Sequence, residues 1–400
     1  MKIAMLGSGF IARFYATSLH AQRRTDKIVS VYSRNIDNAE RFAQEYALPH
    51  FTDQMEEAIQ NPEVEVVIIS LPNDQHEPAV MACARAKKHV ICTKPLGRTA
   101  AEAKRMLDAV EKAGIFGGYL EDLCYTPKFL KSLESINNGD IGRVLWAKSR
   151  ETHPGPHSDW FWDIEKSGGG AMIDLGCHCV EISRNFIGKN VRPLEVMCWA
   201  DTQVHPIDAE DHAIGLVKYA NGAIGQFEVS WAFRGGMDLR DEVMGTEGTI
   251  WINSFLRTGF EMFTSGKGGG YVAEKAEVDK GWLFPVGDEA HELGYPNMFT
   301  DMFTSIEEKK DPLETFYDGY IVNAILDAAY KSAKTKLWEP VVLEVWRGDD
   351  TDIYDKGIKS YDKDHYLIKE ELLPNGDTKL ILKHKVTGKV TQTTNTPREK

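Results

Sequence analysis

At 400 residues the chain is too long for one ordinary hydrophobic core, so two or three domains are expected. With 42% hydrophobic and 27% charged residues, the composition is that of a globular protein and excludes a disordered or membrane-embedded one. A net charge of −13 with no basic block argues against nucleic acid or an anionic membrane as the partner.

The N-terminus opens at once into MKIAMLGSGF, a strand and glycine turn rather than a secretory signal. No run approaches the roughly 18 apolar residues of a membrane span, so a cytoplasmic protein is expected. Through about residue 122, short Val- and Ile-rich runs (KIAMLG, KIVSVYS, VEVVIISL, HVICT) alternate with amphipathic stretches such as FIARFYATSLHA, EPAVMACARAKK and TAAEAKRMLDAVEKAG. Strands buried on both faces, alternating with helices, predict a Rossmann-type doubly wound parallel sheet over 1–122. Thr99 with Glu102 three residues on marks a helix start.

Beyond about 123 the pattern changes to longer alternating strands: RVLWAKSRET, PLEVMCWADTQV, DHAIGLVKYANGAIGQFEVSWAF and GTIWIN. Asn221-Gly222 is a strong hairpin signal. Residues 123–345 are therefore expected to form an α+β domain with a large, mainly antiparallel sheet and helices near 126–138, 171–187, 297–308 and 318–334. Residues 346–400 form a charged C-terminal extension with a hairpin around Pro374-Asn375-Gly376-Asp377. The six cysteines lie in apolar surroundings without paired spacing, as reduced buried thiols do.

The first strand runs into Gly7-Ser8-Gly9-Phe10-Ile11-Ala12 and a helix. The first glycine permits the turn, the second lets backbone approach a pyrophosphate, and the small third residue allows close helix packing. Where an acid would hold a ribose diol, the second strand ends in Ser33-Arg34, which can receive a 2′-phosphate. Asp37 nearby leaves NAD open beside NADP.

Strand HVICT ends in Thr93-Lys94-Pro95, at the carboxyl end of a parallel strand where ligands bind. In the second domain GGGAMIDLGCH spaces Asp174 and His178 four residues apart, one turn along a helix face. The pair would present a carboxylate and an imidazole on one face. The three glycines are expected to let the loop pass close to substrate or cofactor.

Together, G-x-G-x-x-A, K-P and GGGxxxDxGxH resemble the Gfo/Idh/MocA oxidoreductase family over roughly residues 1–340. The resemblance implies an NAD(P)-binding Rossmann domain joined to an α/β domain whose open sheet makes oligomer contacts, and a sugar or polyol substrate. It matches Lys94, Asp174 and His178 to the catalytic set, which for oxidation of a secondary alcohol implies that His178, an imidazole with an unperturbed pKa near neutrality, takes the hydroxyl proton, that Asp174 orients the imidazole or binds a neighbouring hydroxyl, and that Lys94 stabilises alkoxide charge. Asn73 and His76 in LPNDQHEP match the loop beside the nicotinamide ribose, with Leu71 at the head of that loop placed in the cofactor site. Thr93 stands where the family usually has Glu.

ETHPGPHSDWFWDIEKS supplies His153, Trp160 and Trp162, flat aromatics with polar neighbours that suit a sugar ring. Glu121, after the last Rossmann strand, is placed with them against substrate. No metal is expected: Cys177, His178 and Cys179 are consecutive and cannot converge, and the prolines at 154 and 156 leave Glu151, His153 and His157 without ligand geometry.

The expected activity is NAD(P)-dependent hydride transfer to or from a sugar, glycoside or inositol-like polyol by a homo-oligomer, a dimer or tetramer formed through the second sheet. Two other readings stay open: a glycosidase using transient oxidation by tightly held NAD, and a non-catalytic sensor of sugar or dinucleotide.

Overall fold

Six short strands, Lys2–Leu6 (β1), Lys27–Tyr32 (β2), His50–Thr52 (β3), Val66–Ile69 (β4), His89–Thr93 (β5) and Gly117–Leu120 (β6), form one parallel sheet in the order β3-β2-β1-β4-β5-β6. The structure is a computed structural model and describes residues 1–23, 25–234, 236–255, 262–264, 281–283, 287–349 and 358–395. Strands β1, β4 and β5 are almost wholly buried, which is why their sequences are continuous apolar runs rather than alternating ones. Strand β3, only three residues long, carries no pattern by which it could be predicted. The strand order reverses direction at β1 and β4. Their carboxyl ends, with those of β2 and β5, therefore open onto one crevice that receives Gly7, Ser33, Leu71 and Lys94.

The second sheet has seven strands in the order β12-β11-β7-β10-β9-β8-β15, with Val144–Thr152 (β7), Pro193–Asp201 (β8), His212–Tyr219 (β9), Ile224–Ser230 (β10), Asp238–Gly245 (β11), Thr249–Asn253 (β12) and, after the pair Met262–Thr264 (β13) and Gly281–Leu283 (β14), Glu339–Pro340 (β15). Only the β7–β10 pairing is parallel. Asn221-Gly222 turns β9 into β10, with Gly222 at φ 80° and Tyr219 N–H donating to the Ala223 carbonyl at 3.0 Å. Strand β11, DLRDEVMG, is not predicted by alternation, because it pairs polar residues with β7 on one face.

One face of this sheet is covered by the helices Gly176–Ile187 and Phe316–Thr335. The helix expected over 171–187 is two: Ala171–Asp174 ends, Leu175 intervenes, and Gly176–Ile187 begins. All six cysteines are buried and unpaired. Residues 1–219 and 223–350 make one compact unit containing both large sheets. The described part of the extension, taken by itself, is an antiparallel meander of His365–Leu372 (β16), Thr378–His384 (β17) and Val390–Asn395 (β18), with the expected turn at Gly376 and a third strand not foreseen. Among the described residues no helix is long and apolar enough to cross a membrane.

Candidate active site

A cleft of about 700 Å³ lies at the carboxyl ends of the parallel strands. Gly7 sits at φ 114°, and a Cβ there would meet the Ser70 carbonyl oxygen at 2.3 Å. Gly9 differs, since a Cβ there would meet nothing within 4 Å, so its bare backbone lines open space ahead of the helix Phe10–Gln22. This cradle at a helix N-terminus fits a dinucleotide pyrophosphate. Phe10 and Ile11 line it, while Ala12 is fully buried and packs the helix. Ser33, Arg34, Asn35 and Asn38 line the far end of the cleft, and Asp37 is not among the lining residues.

Leu71 and Asn73 line the middle of the cleft, where the Asn73 amide donates to the Ser167 carbonyl at 2.8 Å and ties the two halves together. His76 lies behind this wall, fully buried. Its Nδ1 faces the Pro95 and Leu96 carbonyls at 3.0 and 3.2 Å, and its Nε2 faces the Leu71 carbonyl at 2.9 Å. It therefore shapes the loops around Lys94 rather than lining the cofactor space itself.

Lys94 Nζ donates to both the carboxylate and the backbone carbonyl of Asp174, each at 2.9 Å. The second Asp174 oxygen accepts from Trp231 Nε1 at 3.1 Å. Burial works to lower the Lys94 ammonium, and Asp174 more than reverses it, holding the lysine well above its usual range. The lysine is a fixed cation. Thr93, in place of the family's Glu, shares a hydrogen bond of 2.9 Å with buried Tyr15.

His178 is 4% exposed and lines the cleft. The carboxylate seen on its Nδ1 is that of Glu121, not Asp174. The helix break at Leu175 separates Asp174 from His178, so the two do not share one continuous helical face. Glu121, expected against substrate, is 0% exposed and sits behind the imidazole, its other oxygen held by Tyr119 Oη at 3.4 Å. Burial, helped by Lys94, pushes His178 down to about 3, and burial pushes Glu121 up to about 8 against the pull of Lys94. The donor atoms of Glu121, Cys177 and His178 cluster, but Nδ1 is engaged by Glu121 and the Cys177 thiol by the Asp174 carbonyl at 3.2 Å.

Of the aromatic candidates, Trp160 lines the cleft, stacked on Phe161 with centroids 3.8 Å apart. Trp162 turns away and packs on Trp231 and His205, each at 5.2 Å. His153 lines the cleft, with its Nδ1 accepting from Gly155 N–H at 3.0 Å. The triple glycine does not border the cleft. A Cβ on Gly169 would lie 2.0 Å from Tyr330 Oη and one on Gly170 1.8 Å from the Glu210 carbonyl oxygen, while Gly168 holds φ 86°. The glycines admit other parts of the protein, not a ligand. Residues on the cleft that sequence reasoning did not assign include Tyr15, Asp122, Met237 and Tyr295. Only Asp122, one position after Glu121, carried a local polar signal.

Comparison with known proteins agrees with the two-sheet fold. Residues 1–117 match the profile of an oxidoreductase family with an NAD-binding Rossmann fold, and residues 129–251 that of the GFO/IDH/MocA C-terminal domain. The chain is 26% identical to levoglucosan dehydrogenase of Pseudarthrobacter phenanthrenivorans over 85% of its own length and 98% of that protein. It is 29% identical to myo-inositol 2-dehydrogenase of Thermotoga maritima over 64% and 77% of the two chains. Among solved structures, GenD2 from gentamicin A biosynthesis in complex with NAD superposes with a TM-score of 0.80 at 28% identity, covering 86% of this chain and 97% of that one.

Proposed function

The chain belongs to the GFO/IDH/MocA oxidoreductases, and from that premise we propose that it is an NAD(P)-dependent dehydrogenase or reductase acting on a secondary hydroxyl of an uncharged sugar, glycoside or inositol-like polyol. The observation that carries this reading is the convergence of His178 and the Lys94–Asp174 pair on one cleft with the glycine cradle. Relatives named as levoglucosan and inositol dehydrogenases support it.

When bound, the nicotinamide supplies the acceptor for the hydride. The chain's own task is to hold the hydroxyl and receive its proton. With Nδ1 on Glu121, His178 leaves Nε2 for the substrate hydroxyl. Lys94, fixed as a cation by Asp174, stabilises the alkoxide as the proton leaves. Trp160 offers a flat apolar surface beside the polar groups, as a sugar ring requires. The lining also carries Asp122 and Glu151, while the nearby ammonium of Lys94 is already neutralised by Asp174. That balance favours neutral polyols over phosphorylated or carboxylated ones.

Ser33 and Arg34 at the adenosine end favour NADP, and the relatives seen with NAD or NADH favour NAD, so both belong in the test. Purified protein is mixed with either nucleotide and a panel of sugars, glycosides, inositols and their phosphates. Reduced nicotinamide formed with a neutral polyol supports the proposal. Aglycone release without net reduction, or turnover confined to the phosphates, contradicts it.

A further inference from the structure

A histidine that burial holds at about 3 is, by itself, a poor acceptor for a hydroxyl proton near neutral pH. Yet the structure gives it a carboxylate partner, fully buried, on the ring nitrogen away from substrate. Resting on the reading of His178 as the base, we propose that Glu121 and His178 work as one proton-holding unit: as Nε2 takes the substrate's hydroxyl proton, Nδ1 passes its own proton to Glu121. Glu121 is then a positioning residue and proton reservoir acting through the imidazole, not a substrate contact.

The balance of the step is simple. The substrate C–H bond breaks with its electron pair going to the nicotinamide dinucleotide, the O–H bond breaks with its proton going to Nε2, and a C=O bond forms. The N–H bond at Nδ1 breaks as an O–H bond forms on Glu121. The pair passes from one negative charge to none, so no net charge is created in a buried site, where charge costs most. Tyr119 steadies the second Glu121 oxygen.

Other charged groups bear on the pair from each neighbouring element. Lys94 comes from the end of β5, Asp122 from the turn after β6, Asp174 from the short helix Ala171–Asp174, and Glu181 from the helix Gly176–Ile187, where burial keeps the Cys177 thiol neutral beside them. Lys94 favours the ionised carboxylate, while burial and Glu181 oppose it, which leaves Glu121 near 8. Below that pH Glu121 holds a proton and donates it to Nδ1, so Nε2 carries a hydrogen and cannot act as base. Above it the carboxylate accepts from Nδ1–H and the Nε2 lone pair is free. Oxidation therefore rises with pH through about 8, and carbonyl reduction falls over the same range.

Two readouts test this. In protein carrying ¹⁵N-histidine and no nucleotide, the His178 resonance, assigned by its loss in His178→Ala, is followed from about pH 6 to about pH 10. The proposal expects a change from the Nε2–H to the Nδ1–H tautomer near pH 8 in the wild type and one tautomer throughout in Glu121→Gln. In kinetics, Glu121→Gln should lose kcat by about a hundredfold with KM nearly unchanged and lose the limb near pH 8, with Glu121→Asp restoring that limb. A wild-type imidazole that keeps one tautomer, or a Glu121→Gln enzyme that keeps both rate and limb, overturns the proposal. A tautomer change without polyol oxidation upholds the pair and overturns the functional reading instead.

Discussion

Lys94 is bound twice by one residue, through the carboxylate and the carbonyl of Asp174, and Asp174 is itself braced by Trp231. A lysine so held keeps its proton across the working pH range, so its part is a fixed positive field rather than proton transfer. Lys94→Met should lower kcat by about a hundredfold to a thousandfold and move the limb above pH 8, because the ammonium that favours the ionised Glu121 carboxylate is lost, as read from pH–rate profiles of mutant and wild type. Loss of that limb in Lys94→Met would show the lysine itself titrating. Lys94, Asp174 and His178, each singled out by a local motif, all line the cleft. Their pairing was not legible in the sequence. Asp174 lies 80 residues from the lysine it holds, and Glu121 lies 57 residues from the imidazole it faces, and periodicity along one segment carries no information about partners that far apart.

The break between Ala171–Asp174 and Gly176–Ile187 shows the same limit in an element. Apolar residues continue through Leu175, so the pattern reads as one helix, while the Asp174 carbonyl is drawn to Lys94 and the Cys177 thiol. The glycine run ahead of it was read as a surface offered to ligand. Instead Glu210 folds over it, accepting from Gly170 and Met172 N–H at 3.1 and 2.8 Å and from Tyr330 Oη at 2.9 Å. Gly170→Ala forces a methyl into the Glu210 carbonyl and should destabilise the fold by about 1–3 kcal/mol, measured by urea unfolding. An unchanged midpoint would mean that the loop can withdraw. Where burial dictates composition, as in β1, β4 and β5, the elements were legible from the residues alone.

Across the whole molecule, the second sheet presents one face to its helices and leaves the other with Trp199 and Ile214 side by side, and Trp251 at 77% exposure near the opposite edge. Exposed apolar side chains on a large sheet suit association with another surface. We infer that two copies pack through it, giving a mass of twice 45.0 kDa by light scattering. The double substitution Trp199→Glu, Ile214→Glu should then return the monomer mass, and a wild-type monomer at micromolar concentration would remove the inference. The parallel half of the fold could be read from the sequence alone. The third strand of the extension and β11 could not, since both are polar and owe their place to neighbours. The central claim, that this cleft oxidises a polyol with His178 as the proton acceptor, is tested most directly by following reduced nicotinamide with wild type and His178→Ala side by side on the best neutral polyol. The account predicts turnover in the first and its loss in the second with nucleotide affinity kept within a few fold. Equal turnover in both would contradict it.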